Sequence, residues 1–199
     1  MERINLFGAG GHGRVIREII EAMGGMVGCY YDDSPREARK DGIPVFDVAG
    51  RGVEGKLIVS IGDNGARKRV TERLRTSFAT AVHPSAVISP SSQIAEGTVV
   101  MQGAVIQAHA KIGRHCIINT GASVDHECEI GDFVHISPHA TLCGDIKVGE
   151  LTQIGAGAVV ISGVRIGKRC LIGAGSVVLR DIPDGAVAYG NPCKVRREK

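Results

Sequence analysis

Tryptophan is absent from these 199 residues, and aromatic side chains make up only 4% of them. A core built around a few large rings is therefore excluded, although 43% of the chain is hydrophobic and a sizeable interior is expected. The six cysteines (29, 116, 128, 143, 170, 193) contain no C-x-x-C pair, so neither a zinc ribbon nor a dithiol redox motif has its usual spacing. No metal is expected. No segment joins a basic start, an apolar run and a small-residue cleavage site, and no apolar run reaches bilayer length. The expectation is a cytoplasmic chain without membrane insertion. Charge is nearly balanced at +3, which argues against a nucleic-acid partner, and the cluster Lys194, Arg196, Arg197 and Lys199 reads as a solvated terminus.

What is abundant is glycine, at 28 residues, together with a strict repeat. From Val82 to Val178 every sixth residue is Val, Ile or Leu, seventeen positions without an insertion. Four residues beyond each lies a small or β-branched side chain, and Cys116, Cys128 and Cys170 fall in that register as small buried hydrophobes. A period of six matches neither a helix nor a plain alternating strand. It fits short flat strands joined by tight corners, with three hexapeptides per triangular coil and residues eighteen apart stacked in columns. This pattern resembles the hexapeptide-repeat left-handed β-helices, most of which are acyltransferases and trimers; the left hand is taken from the resemblance.

Residues 1–80 have another rhythm. Expected strands at 4–8, 26–31 and 57–61 alternate with helical segments near 15–23 and 66–75, an α/β Rossmann-like half domain preceding a β-helix over 81–199. Gly8, Gly10 and Gly13 match G-x-G-x-x-G, with Asp32 and Asp33 at the distance of a ribose contact. Taken alone that motif says NAD. The domain has room for only one mononucleotide-binding half, however, and a nucleotide sugar fits its size better, with His12 inside the phosphate-type loop.

The columns locate the chemistry. Arg114, Asp132, Glu150 and Lys168 form a charged column expected to face water. Thr120, Pro138, Ala156 and Ala174 form one slim enough for a ligand or a neighbouring chain. The third contains Pro90, Ala108, His126, Gly144, Ser162 and Arg180, with His126 its only imidazole. Thioester aminolysis needs a base, an oxyanion donor and positioned reactants. His126 beside Glu127 supplies the first, and the Gly144 N–H could supply the second. His109, His115 and His139 read as solvated or interfacial.

Gly-Ala-x-Gly-His-Gly at 8–13, Asp32-Asp33, Asp125-His126-Glu127-Cys128 and His135-Ile136-Ser137 resemble the bacterial sugar acyltransferases of the PglD/NeuD type. The resemblance implies an acetyl-CoA-dependent N-acetyltransferase in glycan biosynthesis. Its acceptor would be a nucleotide-linked, most readily UDP-linked, 4-amino-4,6-dideoxy sugar. It further implies His126 as general base supported by Glu127. His135, Gly144, Ala156, Ser162 and Ala174 would meet acetyl-CoA, while Gly10, Gly11, His12, Asp32, Asp33 and Gly62 would meet the nucleotide sugar. A homotrimer is the implied assembly. An O-acetyltransferase of the sialic acid type is the nearest alternative; a gamma-type carbonic anhydrase and a non-catalytic nucleotide-sugar binder are the others.

Overall fold

A computed structural model describes residues 2–48 and 52–197. The apolar run after Arg3 forms β1 (Arg3–Phe7), followed by α1 (Gly11–Ala22), β2 (Met26–Asp32), β3 (Arg39–Lys40), β4 (Ile43–Asp47), β5 (Lys56–Val59) and α2 (Asn64–Arg73). The sheet order is β3-β4-β2-β1-β5. Strands β1, β2, β4 and β5 run parallel, and β3 closes the edge antiparallel to β4. The β3–β4 hairpin went unforeseen because its few apolar residues and Pro44 give no strand rhythm.

From Ala81 onward come seventeen two-residue strands, β6 (Ala81–Val82) to β22 (Val177–Val178), laid in parallel on three sheets. Successive strands visit the first, second and third face in turn. Pairs such as Ile117–Ile118 and His135–Ile136 lie on the first, Val105–Ile106 and Ser123–Val124 on the second, and Lys111–Ile112 and Glu129–Ile130 on the third. The second residue of each strand points inward, and from Val100 to Val178 all of these are buried. Two further strands, β23 (Val187–Tyr189) and β24 (Lys194–Arg197), close the far end of the first face.

The corners show why the period is six. Three residues after the inward aliphatic the backbone turns through positive φ, and eight non-glycine residues from His109 to Arg169 do so at 52–62°. Each such L-residue costs roughly 1–2 kcal/mol. Each buried Val, Leu or Ile returns about 1.5–3 kcal/mol, so the repeat wins. Cys116, Cys128 and Cys170 are core residues whose S–H groups meet the carbonyls of Gly131, Cys143 and Pro183 at 3.1, 3.1 and 3.0 Å.

The α/β domain covers the first face. Ile16, Ile19 and Ile20 of α1 share one apolar cluster with Ala81, Val99, Met101 and Ile117. Helix α2 sits on the corner between the third and first faces, which therefore faces water only in part: Arg114 and Lys168 are exposed, while Glu150 is half-buried 3.8 Å from Lys68.

Glycines directly after the aliphatic lie under the next coil. A Cβ on Gly149 would stand 2.5 Å from the Lys168 amide nitrogen, and one on Gly167 the same distance from that of Asp184. Gly149→Ala is therefore expected to destabilise by about 1–3 kcal/mol in urea unfolding. Exposed Ser162→Ala should change stability by less than about 0.5 kcal/mol. Equal midpoints for the two variants would contradict this account of the coil spacing.

Candidate functional site

The glycine motif builds a cradle at the end of β1. Gly8 has φ +109°, and a Cβ on Gly13 would stand 2.5 Å from the Gly8 carbonyl oxygen, so the loop needs glycine at both places. Nothing lies within 4 Å of a Cβ on Gly10 or Gly11, both exposed. Gly10 caps α1 without a side chain, which leaves the first N–H groups of this 12-residue helix open to an anion. Asp32 fixes the loop from β2: its carboxylate accepts from the Ala9 N–H at 3.1 Å and the Ser34 N–H at 3.0 Å. Beside it lies a cavity of about 490 Å³, lined by Gly10, Asp32, Arg36, Glu37 and Lys40 among others. Asp33 is not part of that lining. Both its carboxylate oxygens lie 2.5 Å from the single Nη2 of Arg73, and it lines a separate cavity.

His12 reaches from this loop toward the β-helix, into the same electrostatic neighbourhood as His135. Burial pushes the His12 imidazole down to about 4, with the Arg67 charge second; burial, then Arg67, then His12 push His135 down to about 4 as well. Both imidazoles are neutral at physiological pH. His135 Nε2 lies 3.0 Å from Asn119 Nδ2. The His12 Nε2 is shut off from solvent and has no partner among the described residues.

Beneath this cluster is a group that sequence reasoning missed. Arg67 on α2 is 1% exposed. Its Nε donates to the His115 carbonyl at 2.8 Å, and Nη1 donates to Ile61 O at 2.9 Å and to Gly62 O at 3.1 Å. Nη2 donates to Asn64 Oδ1 at 2.7 Å and Phe133 O at 3.0 Å. Burial lowers the guanidinium to about 10, against Cys116 and Asp63, so it keeps its proton at neutral pH. Gly62 is exposed, but its carbonyl belongs to this junction. Asn64 continues it, donating to Leu151 O and Thr152 O at 3.2 Å each. In sequence Arg67 sat in a charged helix expected over 66–75 and Asn64 in the turn before it, with no motif around either.

Of the two readings, solvated or interfacial, the first is excluded for His115. It is 3% exposed, stacked on Phe133 at 5.1 Å and edge-on to Phe78 at 4.6 Å. It fits because Gly97, one coil earlier, has no Cβ: one would stand 2.1 Å from its Nδ1. Burial, then Arg67 and Arg114, lowers it to about 4.

His126 and Glu127 occupy a different place, the corner between the second and third faces. Their side chains are 57% and 64% exposed, with Nδ1 3.3 Å from Glu127 Oε2. The imidazole lies over Gly144, where a Cβ would stand 2.4 Å from both Cε1 and Nε2. Gly144 is thus buried under the ring, and glycine is required for the ring to lie there. Ser162 continues this column, exposed; Ala156 and Ala174 are exposed on the corner between the first and second faces. In a triangular coil the His126 corner is opposite the first face, so one chain keeps His126 apart from His12 and His135.

Comparison with known proteins agrees with this two-part layout. The PglD N-terminal domain matches residues 3–74, and the bacterial transferase hexapeptide (six repeats) matches 109–144 and 145–180. A perosamine N-acetyltransferase from Caulobacter crescentus, a histidine variant crystallised with CoA and GDP-perosamine, is 40% identical. It superposes with a TM-score of 0.92 over 100% of this chain and 98% of its own. The acetyltransferase domain of PglB from Neisseria gonorrhoeae is 36% identical, with a TM-score of 0.91 over 98% of this chain and 100% of its own. The UDP-N-acetylbacillosamine N-acetyltransferase of Bacillus subtilis (strain 168) is 43% identical over 111 residues, 50% of this chain. The matched segment spans about half of that relative, 51%. These matches define a hexapeptide-repeat acyltransferase with a PglD-type front domain. The chain belongs to the bacterial sugar acyltransferases of the PglD type.

The neutral histidines give a pH signature. His12, His115 and His135 sit near 4 when folded, against 6.5 for free imidazole. Below 6.5 the unfolded chain therefore binds more protons than the folded one. Their contribution to stability is complete above that pH and is lost as pH falls toward 4. The thermal midpoint should decline through this window. A flat midpoint from 6.5 to 4.5 by calorimetry would contradict the burial of these rings.

Proposed function

We propose that this chain transfers the acetyl group of acetyl-CoA to the amine of a nucleoside-diphosphate-linked 4-amino-4,6-dideoxy sugar, with His126 as general base. The observation that carries the reading is the exposed His126 imidazole, its Nδ1 turned to Glu127 and its other nitrogen left over the Gly144 backbone. In the tautomer that donates Nδ1–H to the carboxylate, Nε2 carries the free lone pair and accepts the proton as the amine attacks the thioester directly. Glu127 stabilises the imidazolium so formed. No backbone acceptor among the described residues faces the Gly144 N–H, which is the donor this reading assigns to the developing oxyanion.

The nucleotide sugar is assigned to the front domain. Its diphosphate lies on the open N–H groups of α1 at Gly10 and Gly11, and its nucleoside lies in the Asp32 cavity. His12 and Gly62 meet the sugar end, and His135 stands where that end reaches the acetyl-CoA seam. Asp33, held by Arg73, supports the loop from behind. UDP and GDP are the two nucleotides in the relatives' names, and both belong in the acceptor panel.

Assembly follows from the faces. The outward residues of the second face are Val87, Val105, Ser123, Thr141, Val159 and Val177, without a charge. Those of the third are Gln93, Lys111, Glu129, Lys147 and Arg165. Val87, Ile161 and Leu179 are 63%, 39% and 45% exposed on the chain alone. Three copies with their second faces turned to a common axis set the His126 corner of one against the first–second corner of the next. Acetyl-CoA then lies in that seam. His126, Gly144 and Ser162 come from one side, and His135, Ala156 and Ala174 from the other, where the corners carry little side chain to obstruct it.

His126→Ala is expected to lower turnover about 10²–10⁴-fold while both substrates still bind, with a smaller loss for Glu127→Gln. Steady-state assays with acetyl-CoA and the acceptor panel check this, and near-normal turnover in His126→Ala would overturn the base assignment. Sedimentation should show a trimer; a stable monomer at micromolar concentration would remove the shared seam.

A further inference from the structure

We propose that Arg67 is the positioning residue of the acceptor half of the site. Its five N–H groups lock the loop after β5, and through it the Gly8–His12 turn, against the β-helix surface that carries His135 and Asn119. The inference rests on the function proposed above.

Every acceptor around Arg67 is neutral: four backbone carbonyls and the Asn64 amide. The Asp63 carboxylate, whose charge Arg67 feels, is committed to the Ala66 N–H at 2.7 Å. Apolar contact of α1 with Val99, Met101 and Ile117 already supplies adhesion at this junction, and a buried charge is costly to desolvate. What the guanidinium adds is a rigid planar fork joining separate segments at fixed angles. It ties Ile61 and Gly62 in the front domain to His115 and Phe133, stacked residues of successive coils. Ser60 extends the connection, its Oγ 2.8 Å from both the Phe7 and Gly8 carbonyls at the start of the glycine turn. One side chain thereby relates the Gly62 and His12 side of the pocket to the His135 side.

The charge has a second consequence. The titratable and charged groups acting on His12 and His135 are Arg67 from α2 and, for His135, His12 itself; no carboxylate is among them. Burial is the larger cause and the Arg67 cation, held in place by dipoles, the second; together they keep both rings unprotonated, so the rings accept hydrogen bonds from sugar hydroxyls and do not repel a cationic amine.

The test uses full-length Arg67→Lys and Arg67→Met, with acetyl-transfer kinetics and NMR titration of the His12 and His135 ring protons. Arg67→Lys keeps the charge and loses the fork. Its acceptor KM should rise roughly ten- to hundredfold, acetyl-CoA KM should stay within about twofold, and the histidine titrations should stay low. Arg67→Met should show the same acceptor loss with both titrations moved upward. Unchanged acceptor KM in both variants, or donor and acceptor KM rising together, would mean that Arg67 is structural only. Unmoved titrations in Arg67→Met would remove its hold on the histidines. If Arg67→Met does not fold, the donor–acceptor split in Arg67→Lys decides. If wild-type protein turns over no sugar nucleotide, the functional reading fails, while the titrations still judge Arg67.

Discussion

One Val, Ile or Leu and one small or β-branched side chain per six residues fill the interior of the β-helix, and the placement of its faces and corners follows from that limit. The inward side chains fix three flat faces; the residues between them become corners stacked at intervals of eighteen. Glycine after the aliphatic and positive φ three residues on are the local terms of this geometry. His126 is therefore held at a corner opposite the face on which the front domain rests, apart from His12 and His135 of the same chain.

The second constraint is the junction. At each corner the residue with positive φ turns its carbonyl outward, away from the ladder between coils. On the corner between the third and first faces, α2 answers three of these in succession: His115 and Phe133 through Arg67, Leu151 through Asn64. Buried carbonyls left unpaired cost about 1–3 kcal/mol each, and removing one partner of a buried charged network costs about 3–5 kcal/mol. Apolar contact between α1 and Val99, Met101 and Ile117 supplies adhesion without direction. The polar set adds direction, tying Ile61 and Gly62 to His115 and Phe133 through one guanidinium.

The repeat, the domain order and the His126–Glu127 pair were all legible in the sequence, because a strict period assigns each residue to a face or a corner by its position alone. What the period could not reveal lies at right angles to it. Arg67 and Asn64 act through carbonyl oxygens, which leave no trace in side-chain pattern. The burial of His115 depends on the missing Cβ of Gly97 one coil away and on Phe78 beyond the repeat. Asp32 and Asp33 are adjacent letters whose side chains diverge at the end of β2, Asp32 accepting from the Ala9 N–H and Asp33 pairing with Arg73.

The central claim is that the working site is shared, with the base from one copy and the acceptor pocket from its neighbour. Subunit mixing tests it most directly. His126→Ala and His12→Ala proteins, each inactive alone, are co-assembled in equal amounts and assayed with acetyl-CoA and the acceptor sugar nucleotide. Random trimers built as described contain about one intact site in four, so roughly a quarter of wild-type activity should return. Activity no greater than the sum of the two separate variants would place both groups in one chain and contradict the account.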